Sequence, residues 1–255
     1  MLTKKQFAAL EKESRNWLPG HSIDCVVLGF DGKLRVLLLK RVHSDKWALP
    51  GGFINKNEHL DDAARRALKD RTGLKTIYLS QFHTFGAFER RGKTEVDKTI
   101  QQLVSLNQHL ANWFSQRFLT TGYFAFAEIN KAHPEPDFLS EKCEWVDLEK
   151  IPELIFDHRD IIQKSLDYIR LRINFLPFGK TLLGKKFTMS ELQKLYESIL
   201  NKELDRGNFQ KKILKMNFLY RHDKLLTGAA NKAPYLYSFN KKRYDELTKE
   251  GIGYI

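Results

Sequence analysis

Residues 47–74 read WALPGGFINKNEHLDDAARRALKDRTGL. A short apolar piece runs into Pro50, Gly51 and Gly52, and the pattern then changes to that of a helix. Asn57 is placed to cap that helix, and Glu58, Asp61 and Asp62 load its first turns with acid, which suits the positive end of a helix dipole. Ala63, Ala64, Ala67 and Leu68 supply a small apolar face, and Gly73 is a helix stop.

This strand, glycine turn, helix and glycine stop resembles the Nudix box: Gly, five residues, Glu, seven residues, then Arg-Glu-apolar-x-Glu-Glu-x-Gly-apolar. Gly52, Glu58, Arg66, Leu68, Gly73 and Leu74 fall in register. The three later glutamates of the family fall on Ala67, Asp70 and Arg71. Positions 67, 70 and 71 share one helix face. Magnesium needs several hard oxygen ligands in near-octahedral geometry. Ala67 offers none, Asp70 is one short carboxylate, and Arg71 puts a cation where a cation should bind. The resemblance therefore implies a Nudix fold without the hydrolase: no catalytic residue, no metal site and no cofactor are expected.

Outward from the box, the flanking pattern is that of a mixed α/β sandwich. A short helix is expected over residues 1–19, ending at Pro19. Strands are expected over Ile23 to Phe30 and Leu34 to Lys40, with Asp31-Gly32 between them as a hairpin signal. Further strands are expected within Ile77 to Arg90, at Phe118 to Ile129 and at Glu144 to Leu148, before a helix that begins in PELIFDHRDIIQKSL. Residues 92–117 depart from the plain Nudix pattern. Ile100, Leu103, Leu106, Leu110 and Trp113 recur at helical spacing, which reads as an inserted helix, either a dimer or lid element or a local cap.

Composition narrows the class. The chain has 255 residues, 42% of them hydrophobic, and a formal net charge of +12. Cys25 and Cys143 stand alone, without zinc-type spacing or a disulfide framework, and suit buried thiols in a reducing compartment. No apolar run reaches membrane-spanning length, and the first residues lack a signal-peptide core, so no membrane partner and a cytoplasmic location are expected. Residues 160–255 carry 19 Lys or Arg against 10 Asp or Glu, so most of the excess positive charge sits in the last third. Such asymmetry points to nucleic acid.

The last third has the order of a winged helix-turn-helix. A helix from Asp160 to Phe175 leaves the first domain, and Pro177, Gly179 and Gly184 break the chain. Thr188 to Leu200 is a helix with Thr188 and Glu191 as a capping box. After a turn, Asp205 caps a second helix that runs to Met216. Phe218 to Tyr220 and Tyr235 to Phe239 are expected strands of a wing whose loop holds Arg221, Lys224 and Lys232. In the second helix Phe209 and Ile213 face inward, which leaves Arg206, Asn208, Gln210, Lys211, Lys212 and Lys215 for DNA. Arg and Asn suit base edges, and Lys suits phosphate.

The whole order, α+β with a Nudix-like α/β/α sandwich over residues 1–170 and a winged helix-turn-helix over 171–255, resembles the NrtR-type family of bacterial transcription regulators. LIFDHRDII, FTMSELQKLYESIL and RGNFQKKIL match its linking phrases. The resemblance implies a homodimer that binds a double-stranded DNA operator and a small-molecule effector. Some members sense ADP-ribose and control NAD metabolism; others, AraR-like, sense a sugar such as L-arabinose. Lys40, Arg41, Arg90 and Arg91 are candidates for a pyrophosphate, and Trp47, Phe53, Phe85, Phe88 and Tyr123 for a sugar platform, with Glu58 beside them. A sugar is the favoured effector at this stage, because no metal site survives to hold phosphates. The competing class is an active Nudix hydrolase of nucleoside diphosphate derivatives that recruits Glu58, Glu89 or Glu95 as base. A scaffold that binds RNA is a further rival.

Overall fold

The fold is taken from a computed structural model, which describes residues 4–42, 44–74, 77–91, 107–137, 139–176, 178–225 and 233–250. Two sheets organise it. The first is built on β1 (Trp17–Phe30), which pairs antiparallel with β2 (Leu34–Arg41) and parallel with β6 (Leu119–Phe126). Beyond β2 lie β3 (Trp47–Ala48) and β7 (Ser140–Asp147); β4 (Gly51–Asn55) pairs with β1, and β5 (Tyr78–Phe85) with β6. At Gly51 any Cβ would lie 2.3 Å from the Ile23 carbonyl oxygen, so only glycine lets β4 sit on β1.

Both faces of this sheet are covered, which is why IDCVVLGF is apolar without alternation. Ile23, Cys25, Val27, Leu37 and Tyr123 face α2 (Leu60–Thr72) and its Ala63, Ala64 and Leu68. Val26, Leu28, Val36, Leu38, Phe124 and Phe126 face the other way. There they meet Ile161, Ile162, Leu166 and Ile169 of α4 (His158–Leu171). A third cluster joins α1 (Lys4–Ser14) to α3 (Gln108–Ser115) through Leu10, Trp17, Leu110, Trp113 and Phe114.

The last third forms α5 (Phe178–Leu182), β8 (Phe187–Thr188), α6 (Met189–Leu200) and α7 (Arg206–Lys215). Then come β9 (Leu219–Lys224), β10 (Tyr235–Phe239) and α8 (Lys241–Glu250), with the strands ordered β8-β10-β9. Its core is continuous with that of the large sheet. Phe126 meets Phe178 at 6.3 Å between ring centroids, Phe178 meets Tyr196 at 5.1 Å, and Tyr196 meets Phe209 at 5.5 Å. Arg170 Nε of α4 also donates to the Ile199 carbonyl at 2.8 Å, on the C-terminal turn of α6.

Several boundaries differ from the sequence reading. The first helix ends at Ser14, and Pro19 lies inside β1. The box helix begins at Leu60 with His59 as N-cap, not at Asn57. Glu58 explains the delay: its carboxylate accepts the Asn55 N–H at 3.0 Å and holds Arg66, which keeps residues 55–58 in a turn. The stretch 77–90 is one strand followed by a 3-10 turn at Phe88–Arg91. The strand expected at 144–148 runs from Ser140 to Asp147 along the length of β2. The helix expected from Asp160 starts at His158 and ends at Leu171, with a 3-10 turn at Ile173–Phe175. Of the inserted helix, Gln108–Ser115 is helical, while residues 92–106 lie outside the described residues. The first wing strand extends to Lys224, so Arg221 and Lys224 are strand residues and not loop residues; Lys232 lies outside the described residues. β8, α5 and α8 had no sequence counterpart.

Candidate ligand cavity and nucleic-acid interface

A cavity of about 310 Å³ opens between β1, β4, α2 and the loops that flank α3 and α4. One part of its wall is charged, with Arg41, Arg66, Arg71 and Arg90 set among Glu13, Asp24, Asp70 and Asp137. Another is aromatic, with Trp17, Phe53, Phe114 and Phe118. The Phe53 ring lies 4.5 Å from Trp17 and 5.7 Å from Phe118, centroid to centroid. Cavities of this size and mixed lining are what small-molecule sites look like.

The box helix delivers its altered positions to this wall: Ala67, Asp70 and Arg71 all line the cavity. A magnesium ion does not fit here. Ala67 has no oxygen, and the Arg71 guanidinium occupies the same face, 3.5 Å from Asp137 Oδ2. Among the described residues no cluster of His, Cys, Asp or Glu has metal-binding geometry. Gly73 ends the helix at φ 69°, with its N–H on the Lys69 carbonyl, as the box pattern requires.

The arginines are held differently. Arg66 donates Nε to Glu58 Oε1 at 2.8 Å and Nη2 to Glu58 Oε2 at 2.7 Å, a fork-to-fork pair, and Nη2 also reaches the Phe53 carbonyl at 2.9 Å. These bonds hold the Glu58 carboxyl below the ordinary range. Arg90 donates Nη2 to Asp24 and Nε to Asp157, both at 2.9 Å; Asp24 is buried, and Arg90 and Asp157 are partly buried. Beside them His158 accepts the Leu49 N–H on Nδ1 at 2.9 Å, which leaves the proton on Nε2, 3.5 Å from Asp24 Oδ1. Burial pushes the His158 pKa down, so it sits neutral.

Of the residues singled out from sequence, Arg41, Phe53 and Arg90 line the cavity. Lys40, Trp47, Phe85, Phe88, Tyr123 and Glu58 lie elsewhere. Lys40 pairs with Glu141 at 2.7 Å across the β2–β7 edge. Trp47 packs on the core under α4, and Phe85 packs on Phe82. Phe88 is 79% exposed, with the Arg117 guanidinium over its ring. Tyr123 is buried against α2 and donates to Asp61 at 2.6 Å. Glu58 is engaged with Arg66, Glu89 is exposed, and Glu95 lies outside the described residues. Sequence reasoning missed Trp17, Asp24, Phe114, Asp137 and His158, which come from four separate segments; only the box itself pointed to Arg66 and Arg71. Cys25 and Cys143 are both buried thiols, and burial pushes Cys143 up to about 12.

The second candidate surface is α7. Asp205 caps it by accepting the Asn208 N–H at 2.8 Å, and Phe209 and Ile213 anchor it. Arg206, Asn208, Lys211, Lys212 and Lys215 are exposed and Gln210 is half-buried; by helix periodicity Asn208, Lys211, Lys212 and Lys215 fall on one side, away from Phe209 and Ile213, with Arg206 in the first turn. Thr188 and Glu191 form the reciprocal capping box that starts α6. On the wing, Arg221 lies over the Tyr235 ring at 4.8 Å, and Lys224 lies near the same ring at 5.4 Å.

A family model described as the NUDIX domain matches residues 18–165, and one described as the NrtR DNA-binding winged helix domain matches residues 179–239. The chain is 28% identical over 252 residues to the ADPR responsive transcriptional repressor NtrR of Acinetobacter baylyi, covering 95% of this chain and 91% of that one. It is 31% identical over 153 residues to an RNA pyrophosphohydrolase of Bartonella henselae, covering 54% of this chain and 82% of that one. Among solved structures it shares its fold with Shewanella oneidensis NrtR (23% identity, TM-score 0.64, covering 89% of this chain and 96% of that one). It shares it also with a MutT/nudix family protein of Enterococcus faecalis (22% identity, TM-score 0.59, 94% of each chain). Among the described residues no helix is long and apolar enough to cross a membrane.

Proposed function

The chain belongs to the NrtR family, a Nudix domain followed by an NrtR winged-helix domain, and from that membership we propose that it is a DNA-binding transcriptional repressor released or recruited by ADP-ribose. The observation that carries the effector is the cavity, which puts the loosely held Arg71 guanidinium on one wall and Trp17, Phe53, Phe114 and Phe118 on another. A pyrophosphate needs the first wall and a base the second. A sugar such as L-arabinose has no use for a guanidinium with donors to spare, so the cavity favours the nucleotide. The relative from Acinetobacter baylyi, ADPR responsive by name, supports the same reading.

In this reading the Nudix domain binds and does not hydrolyse. Ala67 and Arg71 leave Asp70 as the single carboxylate at the three altered box positions, too few hard ligands for magnesium catalysis. The Nudix relatives that are pyrophosphohydrolases match only that half of the chain. The α7 face carries operator recognition: Arg206, Asn208 and Gln210 reach base edges, and Lys211, Lys212, Lys215 and the wing residues Arg221 and Lys224 reach phosphate. Two copies pair as a homodimer on matched half-sites, because one recognition helix contacts too few bases. A protein working on chromosomal DNA acts in the cytoplasm.

Selection of duplex DNA from a random library by the full chain, followed by fluorescence anisotropy with ADP-ribose or L-arabinose, tests this. The expected result is a palindromic site whose affinity changes with ADP-ribose and not with the sugar. By linkage, operator DNA must change ADP-ribose affinity by the same factor. DNA affinity indifferent to ADP-ribose would overturn the effector assignment, and preference for RNA over duplex DNA would overturn the whole reading.

A further inference from the structure

We infer that Arg71 is an effector-binding residue that takes the place of the divalent cation, gripping the diphosphate of the effector directly and making its binding independent of metal; the inference rests on the effector being a diphosphate, as proposed above. The box helix still turns positions 67, 70 and 71 into the cavity. At the third of them a guanidinium now projects where a metal-binding carboxylate stands in the box pattern.

Its hydrogen bonding sets Arg71 apart from Arg66 and Arg90. Arg66 makes three bonds of 2.7 to 2.9 Å, and Arg90 makes two at 2.9 Å. Those two guanidiniums hold the fold. Arg71 Nη2 lies 3.5 Å from Asp137 Oδ2, and Nη1 lies 3.5 Å from the Asp70 carbonyl, both at the outer limit of a hydrogen bond. Its Nε is buried and has no hydrogen-bond partner among the described residues. Asp137 uses its other oxygen to accept the Leu139 N–H at 3.0 Å. A half-buried guanidinium with five donors and only two long contacts has capacity left for an anion. Its planar fork matches two phosphate oxygens, and the pair is stronger in the low dielectric of a cavity than in water. The same charge repels magnesium. A guanidinium holds phosphates but coordinates and activates no water, so the substitution keeps binding and removes hydrolysis.

Titration calorimetry on the full chain decides, with ADP-ribose, ADP and inorganic pyrophosphate as probes, each in magnesium and in EDTA. Wild type should bind with affinities that agree within about twofold in the two media. Arg71→Gln should lose about tenfold or more for all three probes, as expected for a charge-assisted hydrogen bond, and Arg71→Lys should fall between. The double change Ala67→Glu, Arg71→Glu should make whatever binding remains magnesium-dependent. Circular dichroism checks folding, and if Arg71→Gln does not fold, Arg71→Lys alone must show a loss of at least about threefold. ADP-ribose binding that needs magnesium, or that is unchanged in Arg71→Gln, overturns the inference and leaves the ADP-ribose reading standing. Arg71-dependent binding of pyrophosphate without ADP-ribose binding does the reverse. Absence of all binding overturns both.

Discussion

Arg90 Nε donates to Asp157 Oδ2 at 2.9 Å, joining the end of β5's loop to the first residue before α4. The other end of the same guanidinium donates to Asp24 of β1, at 2.9 Å. The cavity wall is thereby tied to the helix that carries the chain into the winged-helix core. Arg90→Ala would leave the buried Asp24 and the partly buried Asp157 without their cation, and should cost up to about 3 kcal/mol, the low end for buried pairs. Arg90→Lys, unable to bridge both acids with one head, should lose less. Urea unfolding followed by circular dichroism measures both, and a loss under about 1 kcal/mol for the alanine variant would mean that the bridge is not a stabilising element.

His158 sets a pH dependence. Burial is the main cause of its lowered pKa; Arg90 and Arg41 act in the same direction, while Asp24 and Asp157 oppose it. As pH falls, the unfolded chain takes up this proton before the folded one. Its contribution to stability is therefore complete above the ordinary histidine value of about 6.5 and is lost as pH falls through the lower folded value. Wild type should lose more stability between pH 7.5 and 5.5 than His158→Asn, whose side-chain oxygen can still accept the Leu49 N–H. Equal losses would place the proton uptake elsewhere.

The α7 face divides by chemistry. Arg206→Ala and Asn208→Ala should weaken the selected operator by roughly 1–3 kcal/mol each and relax its sequence preference. Lys212→Ala and Lys215→Ala should weaken all duplexes alike, each reducing the slope of log affinity against log salt by about 0.9. Anisotropy titrations across a salt series on operator and scrambled DNA separate the two behaviours. Intact selectivity in the Arg206 and Asn208 variants would mean that another element reads the bases.

Hydrolysis should be absent. ADP-ribose incubated with the protein and magnesium, analysed by ion-exchange chromatography, should yield no AMP above the protein-free control. Magnesium-dependent AMP release abolished by Glu58→Gln would sink the proposal that this domain only binds.

The shared core predicts shared unfolding. Phe178 is fully buried and touches rings on both sides, Phe126 and Tyr196. Phe178→Ala should cost about 3–5 kcal/mol, and calorimetry should show one transition for the chain before and after the change. Two separated transitions in wild type would contradict a common core.

What the sequence by itself determined is the local grammar. Gly52, Glu58, Arg66 and Gly73 announce the box, Asp31-Gly32 the hairpin, and Thr188 with Glu191 and Asp205 the two helices of the DNA-binding order. Each of those signals works between residues no more than a few turns apart, so spacing alone carries it. The register at 67, 70 and 71 likewise displays Ala67, Asp70 and Arg71 in place of the box glutamates in the sequence itself. The start of the box helix was not legible, because Glu58 is taken up by Arg66 on the far side of two helical turns. Nor was the cavity: Tyr123 and Phe85 sit in suitable strands, but sheet register and the helices on either face turn them into the core. Trp17, Asp24, Arg90, Phe114, Asp137 and His158 meet only when β1, the insertion and the start of α4 are folded together. Contacts between segments so far apart depend on which face each strand presents and what covers it, and that is decided by tertiary packing.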